Sequence, residues 1–278
     1  MTRRTIRLGI STCPNDTFTF HALLTGAVRP DDFDVEIELC DVETLNQRIR
    51  AGDFDAAKVS FAAVIDLSAE LAILPVGAAL GEGVGPVVLS RPGGTSANVV
   101  LAPGEHTTAT LLWRIFHPGD GPLEQVVFSE IMPALERGDA RLGVCIHEGR
   151  FTYKARGLEL AEDLGKRWEE TTHLPLPLGG IVARRALGDD VLASLTDAIA
   201  QSLAHARARP DDALVTMRRY AQEDSDDVIW KHVELYVTDE TASLSVQGRA
   251  ALAELARRAR EAGLAAGTNA HGALAVAG

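Results

Sequence analysis

Apolar and polar positions alternate along Thr5 to Ser11 (TIRLGIS) as in a strand, and Pro14, Asn15 and Asp16 follow as a turn with cap residues. The apolar-rich stretch Thr17 to Leu24 then predicts a helix that Gly26 closes. Val35 to Leu39 (VEIEL) alternates apolar with acidic residues, the pattern of a half-buried strand. Asp41 caps a predicted helix running to Arg50, and Gly52 stops it. A short strand over Asp55 to Val59 delivers Lys58 and Ser60 at its end, with Phe61 to Leu67 helical behind it. Strand and helix continue to alternate, which predicts a parallel-rich α/β fold.

The plan recurs in a second segment: Ala97 to Ala102 reads as a strand, Thr107 and Thr108 as caps, and Ala109 to Phe116 as a helix. Arg50-Ala-Gly-Asp-Phe-Asp-Ala-Ala-Lys-Val-Ser60 parallels Glu136-Arg-Gly-Asp-Ala-Arg-Leu-Gly-Val-Cys-Ile-His147, each a helix that ends at Gly-Asp with a strand behind it. Ser60 and His147 therefore fall at equivalent strand ends, where open α/β sheets place their ligands. Gly85 to Gly94 and Gly179 to Gly188 are also alike, and as a pair they suggest two crossings between lobes. The expected organisation is a large discontinuous lobe, residues 1–92 and 184–278, with a small α/β lobe, 93–183, inserted in it. A ligand cleft between the lobes follows. Val191 to Ala206, Asp211 to Ala221 and Ser245 to Ala262 predict amphipathic C-terminal helices, and the Gly- and Ala-rich tail from Gly263 is expected to fray.

Composition narrows the function. Against 27 Lys and Arg stand 39 Asp and Glu, a net charge of -12, and no basic run is present to track a phosphate backbone, so nucleic acid is not an expected partner. Cys13, Cys40 and Cys145 lie far apart without a CxxC spacing, which indicates neither a zinc site nor a disulfide framework, and they read as small buried residues. No metal is expected. Arg7 interrupts the apolar stretch that an export leader needs, and no run of about 18 apolar residues is present. The expectation is a cytoplasmic protein without a membrane partner, its oligomeric state unspecified.

Four loops should meet at the cleft: Asn15-Asp16-Thr17, Lys58-Val59-Ser60, His106-Thr107-Thr108 and His147-Glu148-Gly149-Arg150. Three of them open helices, whose first N–H groups favour anions, so the expected ligand is a small anionic metabolite. Lys58, with Arg150 as a second candidate, would add positive charge to steer it inward. His147 is the acid–base candidate because imidazole titrates near pH 6.5, the alternative being a structural histidine at a strand end. Glu148 either orients that ring or is a solvated loop acid. His106 reads as an exposed loop residue, and Asn15, Asp16, Thr107 and Thr108 as helix caps that can also touch a ligand. Gly81-Glu-Gly-Val-Gly85 lacks the lysine of a phosphate loop and reads as the approach to a hinge.

Several motifs in order resemble 1,4-dihydroxy-6-naphthoate synthase of the futalosine route to menaquinone: Ser11-Thr-Cys-Pro-Asn-Asp-Thr-Phe18, Asp41-Val-Glu-Thr-Leu-Asn46, Lys58-Val-Ser60, Gly104-Glu-His-Thr-Thr108 and Ile146-His-Glu-Gly-Arg-Phe-Thr-Tyr153. Leu174-Pro-Leu-Pro-Leu-Gly-Gly180 and Trp230-Lys-His232 extend the resemblance over most of the chain. It implies a two-lobe periplasmic-binding-protein-like fold of the second type and a lyase acting on cyclic dehypoxanthine futalosine, with no cofactor. It further implies His147 as base, with Lys58, Val59, Ser60, Thr108 and Ala109 on the substrate. Thr12 stands where that family commonly has Pro, and Gly149 where it has Ser. Two other functions fit the same lobes: a cytoplasmic solute-binding protein for a small carboxylate, and a chorismate dehydratase-like enzyme of the same route.

Overall fold

The structure is a computed structural model that describes residues 3–147, 149–221, 225–265 and 276–277. Strands β1 (Arg4–Ser11), β2 (Phe33–Cys40), β3 (Ala56–Ser60), β4 (Leu71–Ile73) and β5 (Ala79–Gly81) come first, then β6 (Val87–Ser90), β7 (Val100–Ala102), β8 (Leu123–Gln125), β9 (Leu142–Cys145) and β10 (Glu159–Asp163), and last β11 (Leu176–Arg184). Among the described residues these form two sheets, one ordered β2-β1-β3-β11-β4 with β5 also on β11, the other β10-β6-β9-β7-β8. The fold is α/β with one sheet in each lobe, as expected.

Both sheets are mixed rather than purely parallel. β1 runs parallel to β2 and β3, but β11 lies antiparallel to β3, β4 and β5. In the other sheet β7 runs parallel to β8 and β9, and β6 lies antiparallel to β9 and β10. Each antiparallel strand is the first one laid down after the chain changes sheet. The chain changes sheet between Gly81 and Val87 and again between Thr172 and Leu176, earlier than the expected crossings. Residues 87–90 therefore belong to the small sheet and 176–183 to the large one, although the sequence resemblance between the two segments suggested paired bridges. The glycine run before β6 does form the connection. Gly85 and Gly165 touch there so closely that a Cβ on Gly85 would lie 2.7 Å from the Gly165 Cα.

Local signals account for most of the elements. Asp41 accepts from the amides of Glu43 and Thr44 to start the helix Val42–Ala51, and Gly52, at φ 95°, ends it in the left-handed region open to glycine. β1 buries Ile6, Leu8 and Ile10, while β3 is buried along its whole length because helices cover both faces of the large sheet. The expected single helix over Thr17 to Leu24 is two short ones, Pro14–Thr19 and His21–Thr25, broken at Phe20. Pro14 sets the earlier start, since its fixed φ and missing N–H suit the first turn. Gly26 closes the second helix at φ 73°.

The C-terminal helices Asp189–Ala208, Pro210–Tyr220 and Asp226–Tyr236 wrap around those two short helices. Phe18, Leu203, Met217, Ile229 and Val233 form their shared apolar cluster. The helix Asp226–Tyr236 has no counterpart in the sequence reading, and it carries His232. In the tail, residues 266–275 lie outside the described ones, while Val276 bridges Ile73 and Ala277 N–H donates to the Ile73 carbonyl at 2.8 Å.

Gly165→Ala forces a methyl group against the Val84 carbonyl and the Gly85 backbone, each within 3.0 Å. Thermal unfolding should show a loss of about 2 kcal/mol, and wild-type stability would contradict this account of the crossover.

Candidate functional site

A cavity open to solvent lies between the sheets. Its walls include Asn15, Asp16, Lys58, Val59 and Ser60 from the large lobe and Thr107, Thr108, Ala109 and His147 from the small one. These nine residues, expected at the cleft from the sequence, thus line one cavity. Cys13, Leu178, Gly179, His232 and Tyr236 line it as well.

On the large-lobe wall Lys58 and Asp16 form a salt bridge of 2.5 Å, and both are buried, at 9% and 3% exposure. Lys58 is therefore not the uncompensated cation expected from the sequence, because the Asp16 carboxylate neutralises it. Asp16 also accepts from the Ser11 hydroxyl at 2.6 Å, the Ser11 amide at 3.3 Å and the Asn15 side-chain amide at 2.8 Å. Neither Asn15 nor Asp16 caps its helix, whose N-cap is Cys13 without a side-chain bond. Their side chains bind neighbouring strands and helices instead. Ser60 is fixed from behind: its amide donates to Asn46 Oδ1 at 2.9 Å, and Asn46 Nδ2 donates to its hydroxyl at 3.2 Å.

The Asn15 amide has only one consistent orientation. Its NH₂ must face Asp16, which as a carboxylate only accepts, so its oxygen faces His232 Nε2 at 2.9 Å and that nitrogen donates. Burial, followed by repulsion from His147 and Lys58, pushes the His232 imidazole down to about 3, so the ring is neutral near pH 7. Tyr236 packs against it at a tilt, with ring centroids 4.7 Å apart.

On the small-lobe wall Thr107 caps the helix Thr108–Phe116 by accepting from the Thr110 amide at 3.2 Å, as expected. Thr108, the other expected cap, is the first helical residue and spans the cleft. Its hydroxyl donates to the Leu178 carbonyl at 2.8 Å and accepts from the Ala62 amide at 3.4 Å. The amides of Thr108 and Ala109 precede the first intrahelical bond, Leu111 to Thr107, and form the positive end of this helix at the cavity.

His147 follows β9 with φ 55°, a left-handed conformation that costs a residue with a Cβ about 1 kcal/mol or more. Its Nδ1 lies 3.4 Å from Cys13 Sγ across the cleft, and the edge of Phe128 meets its ring at 4.9 Å. Strain at a cavity wall is characteristic of functional positions. Glu148 lies outside the described residues. Gly149 packs against Cys145, where an added Cβ would come within 3.2 Å of the Cys145 Cβ, so serine fits only with a small shift.

Two expectations fail here. Arg150 adds no charge to the cavity, since it pairs with Asp163 at 2.5 Å and donates to the Gly83 and Gly85 carbonyls, which pins it to the crossover. Cys13 is not simply a buried filler, for it reaches the cavity and His147. Sequence reasoning gave no role to Cys13, His232 or Tyr236. The first was judged on cysteine spacing alone, and the other two sit on the helix that periodicity missed. His106 does not line this cavity; its amide donates to Glu43 at 3.1 Å.

Two lobes with a cavity between them, its mainly apolar lining set with a few polar side chains, define a protein of the periplasmic-binding-protein-like class. The alkanesulfonate-binding protein SsuA of Xanthomonas axonopodis pv. citri, only 11% identical, superposes with a TM-score of 0.70 over 96% of each chain. The chain belongs to the menaquinone biosynthesis family, whose pattern matches residues 6–261. It is 44% identical to "1,4-dihydroxy-6-naphtoate synthase" of Thermus thermophilus over 94% of this chain and 96% of that one. Identity to the protein of the same name from Streptomyces coelicolor is 39%, over 95% and 96% of the two chains. Protein AF1704 of Archaeoglobus fulgidus, 31% identical, gives a TM-score of 0.88 over 94% of this chain and 98% of its own. The chain is thus an enzyme of menaquinone biosynthesis. No helix among the described residues is long and apolar enough to cross a membrane.

Replacing Asp16 with Asn leaves Lys58 buried without its counter-charge, whereas Lys58→Met leaves Asp16 with the donors of Ser11 and Asn15. Urea unfolding should show a loss of about 3 kcal/mol for Asp16→Asn and a smaller one for Lys58→Met; the reverse order would refute this account of the pair.

The fold also holds His232 neutral, while an unfolded chain protonates it near pH 6.5. The stability this group contributes is intact above that pH and is lost as pH falls toward 3. His232→Asn should narrow the stability gap between pH 7 and pH 5 by about 2 kcal/mol, and an unchanged gap would count against a neutral buried ring.

Proposed function

We propose that this enzyme is a carbon–carbon lyase that converts cyclic dehypoxanthine futalosine to 1,4-dihydroxy-6-naphthoate, with His147 as the base. Two relatives of nearly equal length bear the corresponding name. The observation that carries the reading is the placement of a strained His147 on the small-lobe wall of the cavity that Lys58, Ser60, Thr108 and Ala109 share.

In this mechanism the substrate carboxylate lies at the Thr108 and Ala109 amides, where the positive end of a helix favours it. Lys58 keeps further N–H donors beyond the one on Asp16, and with Ser60 it fixes the other polar end of the substrate. Cys13 Sγ lies 3.4 Å from His147 Nδ1, and the mechanism uses the tautomer that carries its proton there, with Nε2 removing a proton from the substrate. Ring opening, loss of the sugar-derived fragment and aromatisation follow. Contacts across the cleft, Thr108 to Leu178 and His106 to Glu43, hold the lobes together and limit water at the reacting atoms.

Purified protein incubated with cyclic dehypoxanthine futalosine should yield the naphthoate by mass spectrometry, and absence of product would exclude the assignment. His147→Ala should cut turnover by about 100-fold or more with binding largely kept. Near-normal turnover in that variant would remove His147 from the chemistry.

A further inference from the structure

Cys13, His147 and His232 come from three separate chain segments and both lobes, yet one ligand atom from each lies within 4.8 Å of the other two. We propose that these side chains form a three-ligand site for a soft divalent cation of the Zn²⁺ class, and that its occupancy shuts the enzyme off. The inhibition rests on the role of His147 proposed above; the binding does not.

The spacing already approaches what zinc needs. Bonds of about 2.3 Å to sulfur and about 2.0 Å to nitrogen in a tetrahedron place sulfur and nitrogen about 3.6 Å apart. Cys13 Sγ and His147 Nδ1 are 3.4 Å apart. A thiolate with two imidazoles is a donor set that selects Zn²⁺ over Mg²⁺ or Ca²⁺. The ring of His232 is also set up as ligating histidines commonly are: Nε2 donates to the Asn15 oxygen at 2.9 Å, so Nδ1 keeps its lone pair for a metal. Phe128 against His147 and Tyr236 against His232 hold the two rings in place.

Lys58, whose charge bears on His232, is paired with Asp16, and that carboxylate offsets its repulsion of a positive ion. On binding, Cys13 gives up its thiol proton to solvent and the metal takes the His147 Nδ1 lone pair. The remaining ring proton then sits on Nε2, which can no longer accept one from a substrate. Three protein ligands also leave a fourth position for water or a carboxylate at the cavity.

The test is titration of chelator-stripped protein with Zn²⁺ by calorimetry and with Co²⁺ by absorption spectroscopy. One Zn²⁺ per chain should bind with Kd below about 1 μM, and Co²⁺ should give a thiolate charge-transfer band with tetrahedral visible bands. Cys13→Ala and His232→Asn, checked for folding by circular dichroism, should each weaken Zn²⁺ binding at least about 100-fold, while Cys40→Ala should bind as wild type. No stoichiometric binding, no charge-transfer band, or undiminished affinity in Cys13→Ala would overturn the site. Bound Zn²⁺ should abolish turnover until EDTA restores it, and full turnover of the zinc-loaded protein would overturn the inhibition. Because binding is read without substrate, its outcome stands apart from whether His147 proves to be the base.

Discussion

The buried pair between Lys58 and Asp16 is the constraint on which the rest of this site depends. Two charges removed from water are tolerable only when they meet each other and enough further partners. Asp16 meets that condition by gathering Lys58 from β3, Ser11 from the end of β1 and Asn15 from its own helix. Once Asn15 is turned toward Asp16, its oxygen has one direction left, and His232 on the helix Asp226–Tyr236 takes it. A single ion pair thus joins the two central strands of the large sheet to the C-terminal helices and orders one side of the cavity.

The opposite side is built by a different kind of force. The helix Thr108–Phe116 turns its positive end to the cavity, and β9 ends in a left-handed histidine that brings its ring to Cys13. The lobes share an apolar cluster that runs from Val59, Phe61 and Leu255 of the large one to Leu112, Trp113 and Trp168 of the small one, and polar bonds add to it, from Thr108 to Leu178 and Ala62, from His106 to Glu43 and from Arg150 to the crossover glycines. The same fold occurs in the alkanesulfonate-binding protein SsuA.

Much of this was legible before any coordinates because local chemistry and tertiary placement coincide. Asp41 and Gly52 bound their helix as their residue types require, and the repeated Gly-Asp-to-strand pattern correctly set Ser60 and His147 at the ends of β3 and β9. What was not legible is relational. No pattern within the chain shows that Asp16 neutralises Lys58, that Arg150 is spent on Asp163, or that Thr108 reaches over to Leu178. The antiparallel course of β6 and β11 was hidden for the same reason, since direction depends on where the chain enters a sheet. Cys13 and His232 are distant in sequence and meet only because Phe18, Met217 and Ile229 pack one helix on another.

The most direct measurement of the central claim is a crystal structure of the protein with 1,4-dihydroxy-6-naphthoate bound. The account predicts the carboxylate at the Thr108 and Ala109 amides, the rings inside the cleft, and His147 Nε2 within hydrogen-bonding distance of the aromatic hydroxyl side, with the Lys58–Asp16 pair intact. A product bound outside the cleft, or inside it with His147 facing away, would contradict the account.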